Sequence, residues 1–127
     1  MSDARKVAIN PSFLFNAPAQ GFSQAIRTGD TVYCSGQVSM ADGLEAQARE
    51  AFTNVRSLLA YSGATLADVV KLTIYTTDAD CWRKTIDLRN EFLKPPYPAT
   101  TMVVVRGLAL PQFQIEVDAT AVIGAGS

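Results

Sequence analysis

Glu116 is the residue whose type and spacing point most directly to chemistry. It lies in Phe113-Gln-Ile-Glu-Val-Asp-Ala-Thr120, where Phe113, Ile115 and Val117 alternate with Gln114, Glu116, Asp118 and Thr120. Alternate residues of a strand point to opposite faces, so Glu116 belongs to a polar row. Such a row suits either a wet outer surface or a cleft, and in a cleft a carboxylate can orient water and carry a proton. Ser35-Gly36-Gln37 is a second candidate. It reads as turn chemistry ending a strand, and such a turn can also present backbone N–H groups to a ligand oxygen. The chain has no histidine, which removes the commonest general base and the commonest metal ligand. Its two cysteines, Cys34 and Cys81, lack the number and spacing of a zinc site and read as buried small hydrophobes. Chemistry is therefore left to carboxylates, hydroxyls, backbone groups, arginine and water, and the sequence calls for no metal and no cofactor.

Charge narrows the partners. Eleven basic and twelve acidic residues leave a net charge of −1, and no basic run exceeds two residues. Nucleic-acid binding draws on clustered Lys and Arg that release counterions, so nucleic acid is not an expected partner. No apolar run approaches the roughly 18 residues of a membrane span, and the Met-Ser-Asp-Ala-Arg-Lys start lacks the apolar stretch of a secretion signal. A single cytoplasmic domain over residues 1–127, binding a small molecule, is the expectation.

The elements that would position these residues follow from periodicity. Val7 to Asn10 is a short first strand, and Phe22–Arg27 and Thr31–Cys34 form a hairpin around Gly29-Asp30, stopping at Ser35-Gly36. Leu44, Ala48, Ala51, Phe52, Val55, Leu58 and Leu59 recur at three- and four-residue steps, predicting a helix from Leu44 to Tyr61 with Gly63 as its stop. A strand over Asp68–Thr77 follows, then Asp78 as a cap and a helix over Asp80–Leu93, broken by Pro95-Pro96-Tyr97-Pro98. Strands Thr100–Arg106 and Phe113–Val122 finish the chain, with a frayed tail after them. The order β-β-β-α-β-α-β-β describes an α+β fold, a sheet of about six strands with two helices packed on one face. Met102-Val-Val-Val105 is apolar at every position, so the face without helices calls for a partner, and a homo-oligomer packed sheet to sheet answers it. Tyr33, Tyr75 and Trp82 read as packing residues.

Four stretches in this order resemble the Rid family (RidA/YjgF, also called endoribonuclease L-PSP). Phe22-Ser-Gln-Ala-Ile with Tyr33-Cys-Ser-Gly-Gln37 resembles its Y-x-Q and S-G-Q elements. Glu45-Ala-Gln-Ala-Arg49 with Asn54-Val55 resembles its A-x-Q-A-R…N-V pattern, and Asp68-Val-Val-Lys-Leu-Thr73 its strand after the first helix. Tyr97-Pro-Ala-Thr-Thr101 and Ile115-Glu-Val-Asp-Ala119 stand where the family has P-A-R-[ST] and I-E-[IV]-E-A. The resemblance implies a chorismate-mutase-like fold assembled as a homotrimeric barrel, with ligand clefts between subunits.

It also implies hydrolysis of an enamine or imine to a keto compound and ammonia. By position, Glu116 takes the role of the water-orienting glutamate, and Ser35, Gly36 and Gln37 that of the S-G-Q element that helps bind substrate. Phe22 stands at the tyrosine, keeping the ring without its hydroxyl. Thr100, beside Thr101, stands at the arginine that clamps a substrate carboxylate. Threonine cannot offer a guanidinium fork. A bidentate charged pair lies at the strong end of the roughly 1.5–3 kcal/mol range for charged hydrogen bonds, so a carboxylate-anchored substrate loses about tenfold or more in binding. Arg106 lies too far along the strand to substitute, whereas Arg27, Arg83 and Arg89 could reach a cleft from other elements or another subunit. The expected activity is thus a cofactor-free deaminase with altered specificity, poor on small 2-imino acids and suited to a larger or less acidic compound such as a 2-aminomuconate. The alternative is a non-catalytic trimer that binds a small metabolite in the same cleft. Ribonuclease action fits poorly without histidine or a basic cluster.

Overall fold

The alternating residues on either side of Gly29-Asp30 build the first tight hairpin. Strand β2 (Ala25–Thr28) pairs antiparallel with β3 (Thr31–Gln37), closing on the pair Thr28 and Thr31. Gly29 takes a φ of 59° at the first loop position, where a type II′ turn requires glycine. Strand β1 (Val7–Ile9) adds to the outer edge of β2. These coordinates are a computed structural model that describes residues 5–127.

Helix α1 (Leu44–Tyr61) buries Ala48, Ala51, Phe52, Val55, Leu58 and Leu59, the periodic face expected of it. Gly63, at a φ of 94°, ends it. Strand β4 (Val69–Thr76) follows, then two short helices, α2 (Cys81–Lys84) and α3 (Ile86–Phe92), in place of the one continuous helix expected. The break falls at buried Thr85, whose hydroxyl donates to the Cys81 carbonyl at 2.7 Å. Asp78 is not the cap expected of it: Asp80 takes the N-cap position without a side-chain cap bond, and Asp78, in the turn before it, accepts the Asp80 N–H at 2.8 Å and the Lys84 ammonium at 2.8 Å. Strands β5 (Ala99–Val104) and β6 (Ile115–Val122) complete a six-stranded mixed sheet of order β1-β2-β3-β6-β4-β5, in which only β4 and β5 run parallel.

The helices lie on one face of this sheet. Leu72 and Ile74 of β4, Ile115, Val117, Ala119 and Ala121 of β6, and Val32 and Cys34 of β3 point into the core beneath α1. Phe52 of α1 stacks on Phe92 of α3 with ring centroids 5.5 Å apart, joining the helices over that core. Lys71, Thr73, Tyr75, Glu116, Asp118, Thr120 and Tyr33 alternate with the core residues and face the side without helices. No helix among the described residues is long and apolar enough to cross a membrane.

Several expectations are corrected here. Strand β3 does not stop at Ser35-Gly36. It runs to Gln37 through a register shift between Cys34 and Gln37, because a bulge lets the ladder with β6 continue past the extra residue. The Met102–Val105 run is only partly covered within one chain: Met102 packs against the core, while Val103 and Val104 are exposed. Tyr33 and Trp82 are about half exposed rather than packed inside. Nor is the tail frayed. The Gly126 N–H donates to the buried Asp68 carboxylate at 2.9 Å, and Ser127 N–H reaches the Gly124 carbonyl at 3.2 Å.

Candidate functional site

Glu116 is half-buried on the helix-free face, level with Tyr75 of β4. Across the β3–β6 pairing its carboxylate lies directly over Gly36, so that a Cβ built on Gly36 would overlap the Glu116 Cγ, Cδ and Oε2. A side chain at this position would therefore have to displace the Glu116 carboxylate, a constraint set by close approach and not by an unusual φ. Burial raises the Glu116 carboxyl above the ordinary glutamate value, and the negative charge of Asp118, two residues on and on the same face, raises it further. Asp118 is raised too, mainly by burial, while Lys71 and a hydrogen bond from Tyr75 pull it back. Two carboxylates, a phenol and an ammonium therefore share this side of β4 and β6. A carboxyl poised above its ordinary value on a partly desolvated face can hold a water and take its proton.

The bulge is pinned from behind by the segment that precedes β2. Ser35 donates its N–H to the Gln24 carbonyl at 2.8 Å and its hydroxyl to the Ser23 carbonyl at 2.7 Å. Gln37 is buried, and its amide nitrogen donates to Gln24 Oε1 at 2.8 Å and to the Ser35 carbonyl at 3.1 Å. Its nitrogen therefore faces the protein interior instead of a ligand. The Gln24 amide in turn donates to the Phe15 carbonyl at 2.9 Å. Phe15 and Phe22 stack with centroids 6.2 Å apart, both well exposed, forming an aromatic surface beside the bulge.

The start of β6 is held as firmly. Gln47 of α1, three residues after Leu44 and four before Ala51, is buried at the edge of the apolar face, with its amide nitrogen donating to the Ala41 and Gln112 carbonyls at 3.0 and 2.9 Å. Its oxygen accepts the Gln114 N–H at 2.8 Å, two residues before Glu116. Thr76 donates its hydroxyl to the Gln114 carbonyl at 2.8 Å from the other side.

Thr100 is not brought to Glu116 within one chain. In the parallel pairing it lies beside core-facing Leu72, on the helix side of the edge strand β5, and its hydroxyl donates to the Pro98 carbonyl at 3.0 Å. Thr101, beside Thr73, faces the same side as Glu116 and accepts a hydrogen bond from Lys71 Nζ at 2.8 Å. Lys71 is a cation that the sequence reading did not single out. Its spacing with Thr73 and Tyr75 was the available signal, since all three fall on one parity. Of the three arginines considered as replacements, two are engaged elsewhere within the chain. Arg89 lies over the Trp82 ring at 3.8 Å and donates to the Trp82 carbonyl at 2.6 Å. Arg27 donates to the carbonyls of Gly29 and Ser62 at 3.0 and 3.3 Å. Arg83 is exposed, 3.9 Å from Asp80. Both cysteines are buried, and burial pushes the Cys34 thiol up to about 12, with a smaller contribution from the charge of Asp118. Among the described residues no cluster of His, Cys, Asp and Glu is arranged to hold a metal ion.

Comparison with known proteins places this geometry among relatives. Residues 15–123 match the family described as endoribonuclease L-PSP. The chain is 32% identical over 114 residues to the 2-iminobutanoate/2-iminopropanoate deaminase of Dermatophagoides farinae, covering 84% of this chain and 88% of that protein. It is 40% identical over 106 residues to the RutC family protein YjgH of Escherichia coli, covering 77% of this chain and 81% of the relative. Among solved structures, a member of the YjgF/YER057c/UK114 family from Mycobacterium tuberculosis superposes with a TM-score of 0.85 at 33% identity, covering 94% of this chain and all of that one.

Proposed function

The chain belongs to the endoribonuclease L-PSP family, the YjgF/UK114 proteins, and from that premise we propose that it is a cofactor-free hydrolase of an imine or enamine. The observation that carries this reading is the half-buried Glu116 carboxyl, raised above its ordinary value and seated against a glycine bulge, in a chain similar to 2-iminobutanoate/2-iminopropanoate deaminases. In the proposed reaction Glu116 accepts a proton from water as the water oxygen bonds to the iminium carbon. The C=N π pair moves to nitrogen, giving a carbinolamine. Glu116 then returns the proton to that nitrogen; as the C–N bond breaks, the hydroxyl oxygen closes the C=O and gives its proton to Glu116, which passes it to the departing ammonia, so that a keto compound and ammonium leave. Gly36 supplies a backbone group at the cleft, and Phe22 an aromatic wall.

The cleft itself requires a second copy. Glu116 and Thr100 lie on opposite faces, and β6 and β5 are separated by β4, about 10 Å across the sheet. We propose a homotrimer in which the helix-free faces meet, with Glu116 of one subunit brought towards the β5 edge and Thr100 of another. Its substrates are larger or less acidic than 2-iminopropanoate, because the Thr100 hydroxyl is bonded to Pro98 and offers no charge.

The reading is tested by measuring ammonia and keto product from imines generated by an amino-acid or amine oxidase, with the native protein and with Glu116→Gln. Loss of turnover in the variant supports it, whereas equal turnover removes Glu116 from the reaction. A native trimer that hydrolyses none of the imines, yet melts higher in the presence of a metabolite, would instead establish a binding function, the reading favoured by the absence of both the arginine and the tyrosine hydroxyl.

A further inference from the structure

Two glutamine side chains join the aromatic loop to the residue that touches Glu116. Gln24 and Gln37 are both 4% exposed, and their amides bond to each other at 2.8 Å. Gln37 uses its second amide hydrogen on the Ser35 carbonyl at 3.1 Å, and Gln24 donates to the Phe15 carbonyl at 2.9 Å. On the backbone, Gln24 donates to Asn10 Oδ1 at 2.9 Å and accepts from the Ser35 N–H at 2.8 Å. Gly36, flanked by Ser35 and Gln37, is the residue against which the Glu116 carboxylate lies. A chain of contacts thus runs from Phe15, which stacks on Phe22, through two buried amides to the bulge and the carboxylate. An uncharged amide brings two donors and an acceptor: Gln37 uses both donors, and Gln24 one donor and its acceptor. A buried network of this kind holds one arrangement firmly when every member is satisfied.

We propose that Gln24 and Gln37 are positioning residues that fix the bulge against Glu116 and transmit the placement of the Phe15–Phe22 surface to that carboxylate. They act through Gly36 and do not bind substrate with their side chains. The kinetic part of this inference rests on the role given above to Glu116, whereas the geometric part does not.

The test uses the full chain with Gln24→Leu, Gln37→Leu and Gly36→Ala. Leucine keeps most of the volume and removes the hydrogen bonds, while alanine leaves the amide pair intact and pushes on the same carboxylate. The first readout is the Glu116 carboxyl titration by carbon-13 NMR. It is expected to move back towards the ordinary glutamate value in Gln37→Leu and Gln24→Leu, as water gains access, and to shift in Gly36→Ala. Asp118, Lys71 and Tyr75 face Glu116 from β6 and β4 and are unchanged in all three variants. The second readout is steady-state hydrolysis of whichever imine the native protein accepts. A fall in kcat of roughly ten- to a hundredfold, with KM within about twofold, is the signature of a displaced catalytic group. A raised KM with kcat unchanged would make the glutamines part of substrate binding and overturn the proposal. So would an unmoved Glu116 titration in folded variants, even if melting temperature fell. If Gln37→Leu fails to fold, Gly36→Ala decides the contact with Glu116 and Gln24→Leu decides the link to the loop. If the native protein hydrolyses no imine, the catalytic reading fails, and the titration still decides the positioning.

Discussion

Restoring an arginine at position 100 should convert this chain towards small 2-imino acids. Thr100 sits on β5, which among the described residues pairs only with β4, so a longer side chain there can leave the sheet at its edge. The substitution removes one hydrogen bond, from the Thr100 hydroxyl to the Pro98 carbonyl at 3.0 Å, at a cost of about 0.5–1.5 kcal/mol of stability. It adds a guanidinium fork for a substrate carboxylate, an interaction of about 1.5–3 kcal/mol. At about 1.4 kcal/mol per factor of ten, kcat/KM for 2-iminopropanoate should rise roughly 10- to 150-fold in Thr100→Arg. Thr100→Lys, a point charge without the fork, should give less. The assay couples an amino-acid oxidase to keto-acid detection, with melting temperature and sedimentation recorded for each variant. If Thr100→Arg folds, keeps the oligomeric state of the native protein and gains less than about threefold, the missing fork does not set the proposed specificity.

Activity should rise with pH through an inflection above the ordinary glutamate value, because Glu116 must be ionised to take a proton and its folded-state carboxyl is raised. Asp118→Asn should move that inflection down in a pH–kcat/KM profile, since the Asp118 charge contributes to the shift. The same raised carboxyls favour the protonated form in the folded chain, so their contribution to stability is lost as pH climbs through the raised values, which urea titrations at several pH values would register. Asp68→Ala should destabilise by about 1.5–3 kcal/mol, lowering the melting temperature by about 5–12 °C, because the Thr65 and Gly126 N–H groups both lose a charged acceptor. The Asp68 carboxyl is held low chiefly by the Gly126 N–H. The advantage of the native chain over the variant should therefore be full above the ordinary aspartate value and vanish as pH falls through the lowered one. Gln47→Leu should cost about 1–3 kcal/mol in chemical denaturation, leaving the Gln114 N–H without its acceptor near the start of β6.

What the sequence made legible was whatever repeats. The apolar positions of α1 and the alternation around Glu116 each give a local period, and both correctly assign faces. The hairpin at Gly29-Asp30 was equally readable, because a two-residue loop between β-branched runs leaves few alternatives. The bulge was not readable, since Ser35-Gly36 has the same composition whether a strand ends there or kinks and continues. The split between α2 and α3 was hidden because it falls at Thr85, where the sequence carries no helix breaker. Gln24, Gln37 and Gln47 look like surface residues by type, and only tertiary hydrogen bonding draws them inside. The placement of Thr100 away from the Glu116 face follows from the register of β5 against β4, a long-range pairing that no single stretch encodes.

The depth of the two thiols makes the protein a convenient carrier for chemical probes. With Cys34 held at about 12 and both sulfurs enclosed, a maleimide at neutral pH should leave the native chain unmodified. One cysteine introduced at exposed Thr101 would then be the sole point of attachment. A fluorophore tethered there would sit on the face where subunits are proposed to meet, and its emission would report, without mutating either native sulfur, how tightly the copies associate and what enters between them.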